Sequence, residues 1–150
     1  MQFKECYQNP FIEERADPYI TLGPDGFYYF TASYPMKSAD DKDGYDRVIL
    51  RRAKDISELA SAEEITIWKV ADTTLTHRFI WAPELHYIAG RWYVFYAGSE
   101  DKENNWAFDC HVLVCDSDDP YTGTWSEKGK FQKREDDDFS FTGFLGYDLF

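Results

Sequence analysis

The sequence predicts an all-β chain of the β-propeller type, with four-stranded antiparallel blades, about two of them plus a stub, forming an incomplete ring. Short aromatic and β-branched runs alternate with turn residues, the spacing of a strand-rich fold. These runs recur at a fixed offset. A shift of 65 (83 − 18) places Pro18 on Pro83, Phe27 on Trp92, Tyr28 on Tyr93, Phe30 on Phe95 and Ala32 on Ala97. A third run recurs as well, Val48-Ile49-Leu50 falling on Val112-Leu113-Val114 at a shift of 64 (112 − 48). Repeats of about four strands are the signature of propeller blades, and a plain meander has no reason to keep such an offset.

Residues 1–14 are polar and irregular and read as a lead-in loop. Tyr19 to Leu22 is a short strand, Gly23-Pro24-Asp25-Gly26 a turn, and Phe27 to Ala32 a second strand, together a hairpin. A charged loop from Lys37 to Asp46 leads to a third strand, Arg47 to Arg52. Asp55 to Glu64 suits a helical turn and Ile65 to Trp68 a fourth strand. The pattern then restarts with Ala82 to Tyr87, a turn at Ala89-Gly90, and Arg91 to Ala97. Strand content is expected over 19–34, 47–53, 65–69, 82–98 and 110–116, and Gly123 to Ser126 closes the second unit. The whole chain, 1–150, reads as the N-terminal part of one propeller domain, with blade one at about 15–70, blade two at about 80–130 and the start of blade three at about 139–150. A ring needs ~4–8 blades. The final run Phe144 to Phe150 is apolar, so further blades are expected beyond it.

Composition narrows the partners. Aromatics make up 19% of the chain, which fits a β-rich core or a sugar-binding surface. The net charge of −12 repels phosphate backbones and anionic lipid, so neither nucleic acid nor a membrane surface is expected as a partner. A neutral carbohydrate is indifferent to that field. Cys6, Cys110 and Cys115 form no disulfide framework, and the N-terminus has no apolar leader core, so a cytoplasmic location is expected. Cys110 and Cys115, five apart on a strand-like run, point to opposite faces and make a poor metal pair. The acidic runs at 40–43, 116–119 and 135–138 lack the calcium-loop pattern and read as solvated loops.

The stretch Arg15-Ala16-Asp17-Pro18-Tyr19-Ile20 is the first chemical candidate. Pro18 removes a ladder donor and restricts Asp17 to extended backbone, which suits a strand start. An acidic side chain there can face a cavity; the plainer reading is a surface Asp-Pro turn.

The chain resembles glycoside hydrolase family 43. The likeness is carried by Asn9-Pro10, Arg15-Ala16-Asp17-Pro18, Phe27 to Ser33, Leu50-Arg51-Arg52-Ala53 and His77-Arg78-Phe79-Ile80-Trp81-Ala82-Pro83-Glu84-Leu85-His86-Tyr87, and runs from about Asn9 to about Gly129. The resemblance implies a five-bladed propeller and a glycosidase acting on arabinose- or xylose-containing glycans by inverting single displacement. Its most specific part is Trp-Ala-Pro-Glu followed by Gly-x-Trp-Tyr. Inversion needs a carboxylate base for water and a carboxylic acid for the leaving oxygen, roughly 6.5–9.5 Å apart.

On the residues that match, the resemblance makes Asp17 the general base and Trp81 an aromatic of the cavity wall. Arg15 is a candidate substrate contact and, two residues from Asp17, favours its ionised form where both point the same way. Trp81 can equally be a core residue closing the blade. Glu84 and His86 share one strand face, where they either meet substrate hydroxyls or form a buried hydrogen-bonded pair. His77 is a substrate contact or a solvated loop residue. The family's second Asp, which tunes its partner's pKa, has two placements. Local alignment puts Thr142 there, whereas two shifts of 65 from Asp17 give 147, next to Asp148. No residue matches the acid Glu. Some family members hold calcium in the central channel, but no ligands are identifiable here and no cofactor is expected. The chain is therefore read as part of a glycosidase, with little or no activity expected of the 150 residues alone; the alternative is a carbohydrate-binding propeller remnant without catalysis.

Overall fold

A computed structural model describes residues 8–38, 44–70, 78–99 and 108–131. They form two four-stranded antiparallel sheets, each with its strands in chain order. The first holds β1 (Ala16–Leu22), β2 (Tyr28–Ser33), β3 (Arg47–Ala53) and β4 (Ile65–Lys69). The second holds β5 (Arg78–Ile88), β6 (Arg91–Ser99), β7 (Phe108–Cys115) and β8 (Trp125–Lys130). The all-β, propeller-type reading holds. The expected helical turn is a 3₁₀ helix, Ile56–Ala60, whose N-cap Asp55 accepts the Ser57 N–H at 2.8 Å. The expected third unit at 139–150 lies outside the described residues.

Why the chain forms these strands is clearest at β3, where Val48, Ile49 and Leu50 are all buried. Alternating side chains leave a strand on opposite faces, so three consecutive buried residues require cover on both. Val48 and Leu50 enter a core between the sheets, with Tyr29, Trp68, Leu85, Trp92, Val94, Tyr96 and Leu113. Ile49 faces the other way, joining Phe30, Ala32, Ala53 and Leu59, with Phe11 and Ile12 of the lead-in segment packed on top. Burying such side chains contributes roughly 1.5–3 kcal/mol each before conformational entropy is charged.

The two inner hairpins turn differently. Ile88 pairs with Arg91, so Ala89 and Gly90 form a two-residue turn, with φ 48° and 82°. Positive φ at both positions is the type I′ requirement, and its twist matches that of the strands. The first hairpin is looser: Leu22 pairs with Tyr28, and Asp25 accepts both the Phe27 N–H (3.1 Å) and the Tyr29 hydroxyl (2.6 Å). A Cβ on Gly23 would stand 2.8 Å from the Tyr29 ring, which keeps that turn free of side chain. This difference corrects the alignment of Phe27 with Trp92. Leu22 pairs with Tyr28 and Tyr87 with Trp92, so Tyr28 holds the place of Trp92. The offset is 65 on the first strand (87 − 22) and 64 from the second onward (92 − 28), because the second turn is one ladder step shorter.

Candidate active site

The first strands of the two sheets lie against each other. Both begin with the same backbone irregularity. Glu14 and Asp17 have φ 54° and 49°; their counterparts 65 residues on, Phe79 and Ala82, have φ 63° and 45°. Pro18 and Pro83 follow directly. The extended backbone expected of Asp17 is therefore not found. A proline disfavours the right-handed region before it, and Asp is one of the few side chains that tolerates the left-handed one. The ladder slips at the same places. Pairing jumps from Ala16–Ser33 to Tyr19–Thr31 in one sheet and from Trp81–Ala97 to Glu84–Phe95 in the other. Such bulges re-aim a side chain at a strand end.

One hydroxyl joins the two irregularities. Ser33 Oγ donates to Asp17 Oδ2 at 2.8 Å and accepts the Ala82 N–H at 2.7 Å. Ser33 is fully buried, whereas Asp17 is exposed. An exposed carboxylate on a fixed backbone can bind water or a polar ligand without losing its own support.

The other candidates are placed as follows. Trp81, next to Ala82, stacks on Phe108 with centroids 4.3 Å apart and planes at 27°. Phe79 and Tyr45 meet it edge-on at 5.8 and 5.7 Å. One face of the indole is thus committed to packing, while the residue remains part-exposed. Glu84 and His86 form the hydrogen-bonded pair, Oε2 to Nε2 at 3.0 Å, with His86 5.3 Å from the Tyr19 ring and 5.5 Å from Phe95. Arg15 is paired with Glu64. Its Nε donates to Glu64 at 3.1 Å, its Nη2 pairs with the same carboxylate, and its guanidinium lies 4.3 Å over the Tyr34 ring. Arg51 joins the same Glu64 at 3.0 Å. Burial raises the Glu64 pKa, but the hydrogen bonds and charges of Arg15 and Arg51 outweigh it and hold the carboxyl below its ordinary value. The structure therefore gives Arg15 a partner other than Asp17.

Comparison with known proteins decides the family. The model of glycosyl hydrolases family 43 matches residues 7–144. The chain belongs to that family. Extracellular exo-α-(1→5)-L-arabinofuranosidases of Streptomyces avermitilis and Streptomyces chartreusis are each 43% identical to it over 124 residues, or 83% of this chain. The crystal structure of an α-L-arabinofuranosidase from Lactobacillus brevis superposes with a TM-score of 0.69 at 37% identity, covering 84% of this chain and 39% of that one. The chain spans 24% and 35% of the two Streptomyces relatives.

Those relatives overturn the expected cytoplasmic location, since both are extracellular. The cysteine reasoning fails for a physical reason. Cys110 and Cys115 are free and buried, and they sit on opposite sides of β7, Cys115 in the inter-sheet core. Geometry alone prevents their pairing, whatever the compartment. Burial also pushes the Cys110 thiol up to about 11.

Within the family 43 chain, Asp148, Thr142 and His77 lie outside the described residues. Among the described residues no three His, Cys, Asp or Glu side chains gather as a metal would require, so no calcium ligands are assigned. Sequence reasoning missed Ser33, Tyr45 and Phe108. The one signal for Ser33 was a hydroxyl closing the otherwise largely apolar run Tyr28 to Ala32.

Proposed function

We propose that the whole protein is a secreted glycosidase that releases arabinofuranosyl units by single displacement with inversion. In this reading, blades one and two supply one wall of the cavity and the general base. The observation that carries it is the exposed Asp17 carboxylate at the start of β1, fixed beside the start of β5 through Ser33. Ionised Asp17 takes a proton from water as its oxygen attacks the anomeric carbon. The departing oxygen leaves from the opposite sugar face with a proton from a carboxylic acid contributed by a later part of the fold. Asp148 remains the candidate for tuning a partner's pKa. The exposed part of the Trp81 indole is the surface a sugar ring would meet. Glu84 and His86, tied to each other, hold that stretch of β5 against Tyr19 and stand as candidate contacts for substrate hydroxyls.

The preference for arabinofuranosides over xylosides rests on likeness to the Streptomyces and Lactobacillus brevis enzymes, which are arabinofuranosidases. Hydrolysis of nitrophenyl α-L-arabinofuranoside by the full-length protein, with the anomer of released arabinose followed by NMR, tests the reading. The first-formed sugar is expected with inverted configuration.

A further inference from the structure

The geometry points to Ser33 as the positioning residue of this site: it fixes which oxygen of Asp17 is available to water. This rests on the proposed role of Asp17 and adds a residue to it.

A serine hydroxyl has one proton to give and two lone pairs to receive with. The Ala82 N–H, 2.7 Å away, occupies one lone pair. A carboxylate only accepts, so the Ser33 proton is directed to Asp17 Oδ2, 2.8 Å away. The hydroxyl cannot rotate to another partner without giving up the Ala82 N–H, and Ser33 itself is fully buried. Asp17 Oδ2 is thereby held, and Oδ1 is left to face water. Two bulges make this possible. The slip after Ala16 turns Asp17 toward Ser33, and the slip after Trp81 takes the Ala82 N–H out of the β5–β6 ladder. The base on the first sheet is thus aligned by the backbone of the second.

Among the described residues, the ionisable neighbours do not duplicate this role. On β1 and just before it, Arg15 is paired with Glu64, and Tyr19 packs on His86. At the end of β2, Tyr34 lies under the guanidinium groups of Arg15 and Arg47. On β5, Glu84 and His86 are bonded to each other. None of these contacts reaches Asp17 Oδ2, which the Ser33 hydroxyl serves.

The test compares wild type, Ser33→Ala and Ser33→Thr in the full-length protein, measuring kcat and KM separately on nitrophenyl arabinofuranoside. Loss of the donor in Ser33→Ala is expected to lower kcat roughly tenfold with KM changed less than about twofold. Ser33→Thr, which keeps the hydroxyl, should restore the wild-type kcat. If Ser33→Ala does not fold, Ser33→Cys keeps the volume with a weaker donor and should likewise lower kcat with KM little changed. An unchanged kcat in the folded Ala or Cys variant overturns the inference, as does an equal loss in Ser33→Thr. Asp17→Asn, measured in parallel, separates the two layers. If it is inactive while Ser33→Ala matches wild type, the base reading stands and the role given to Ser33 falls.

Discussion

Asp17 and Ala82 occupy the same place in successive sheets, each in left-handed backbone before a proline, and the Ser33 hydroxyl binds both. A non-glycine residue in this region costs roughly 1–2 kcal/mol. That the cost recurs at Ala82, which has no polar side chain to offset it, marks the conformation as a property of the blade start rather than of aspartate.

This gives a backbone prediction. Ala82→Val, with a branched Cβ at φ 45°, should lower stability by about 2 kcal/mol, whereas Ala82→Gly should stay within about 1 kcal/mol of wild type. Denaturant unfolding of the two variants checks it.

Glu64 anchors the first sheet from the side opposite in role. It collects Arg15 and Arg51 with its side chain only 17% exposed. Glu64→Gln keeps the shape but leaves two guanidinium groups without a counter-charge, and should cost about 1–3 kcal/mol. Activity per folded molecule should change little, because Glu64 holds Arg15 and Arg51 rather than Asp17.

The same carboxylates set the acid tolerance. Asp119 resembles Glu64: burial raises its pKa, but the Tyr121 N–H, the Thr122 hydroxyl and Arg52 together hold it below its ordinary value. A group depressed in the folded state contributes stability above its unfolded pKa and loses it as pH falls through the folded one. Unfolding midpoints should therefore drop below the ordinary carboxylate range, and Glu64→Gln should flatten that fall. Thermal unfolding across an acidic pH series measures both.

Trp81 should behave as packing and surface together. Trp81→Ala is expected to lower stability by about 2–3 kcal/mol, since Phe108 loses its stacked partner, and to raise KM more than it lowers kcat. Trp81→Phe should recover most of the stability.

The blade pattern was legible because each hairpin writes its period and turn into the sequence. The Trp-Ala-Pro-Glu stretch and the acidic residue before Pro18 carried the family. What could not be read was long-range. The 65-to-64 change in offset depends on how tightly Ala89-Gly90 turns compared with the Gly23 turn. The partner of Arg15 is 49 residues away in sequence. Ser33 gave only the signal of a hydroxyl at the end of β2, because its importance comes from two bulges on different strands. The backbone of Asp17 was misread because proline's effect on its predecessor was applied without allowing for the bulge.

The most direct measurement is turnover of nitrophenyl arabinofuranoside by full-length Asp17→Asn. Asparagine cannot accept the water proton but can keep the hydrogen bond from Ser33, so the protein should unfold at the wild-type temperature. Its kcat should fall by at least roughly 10²–10⁴-fold. A folded Asp17→Asn protein that turns over at the wild-type rate would contradict the assignment of Asp17 as the base.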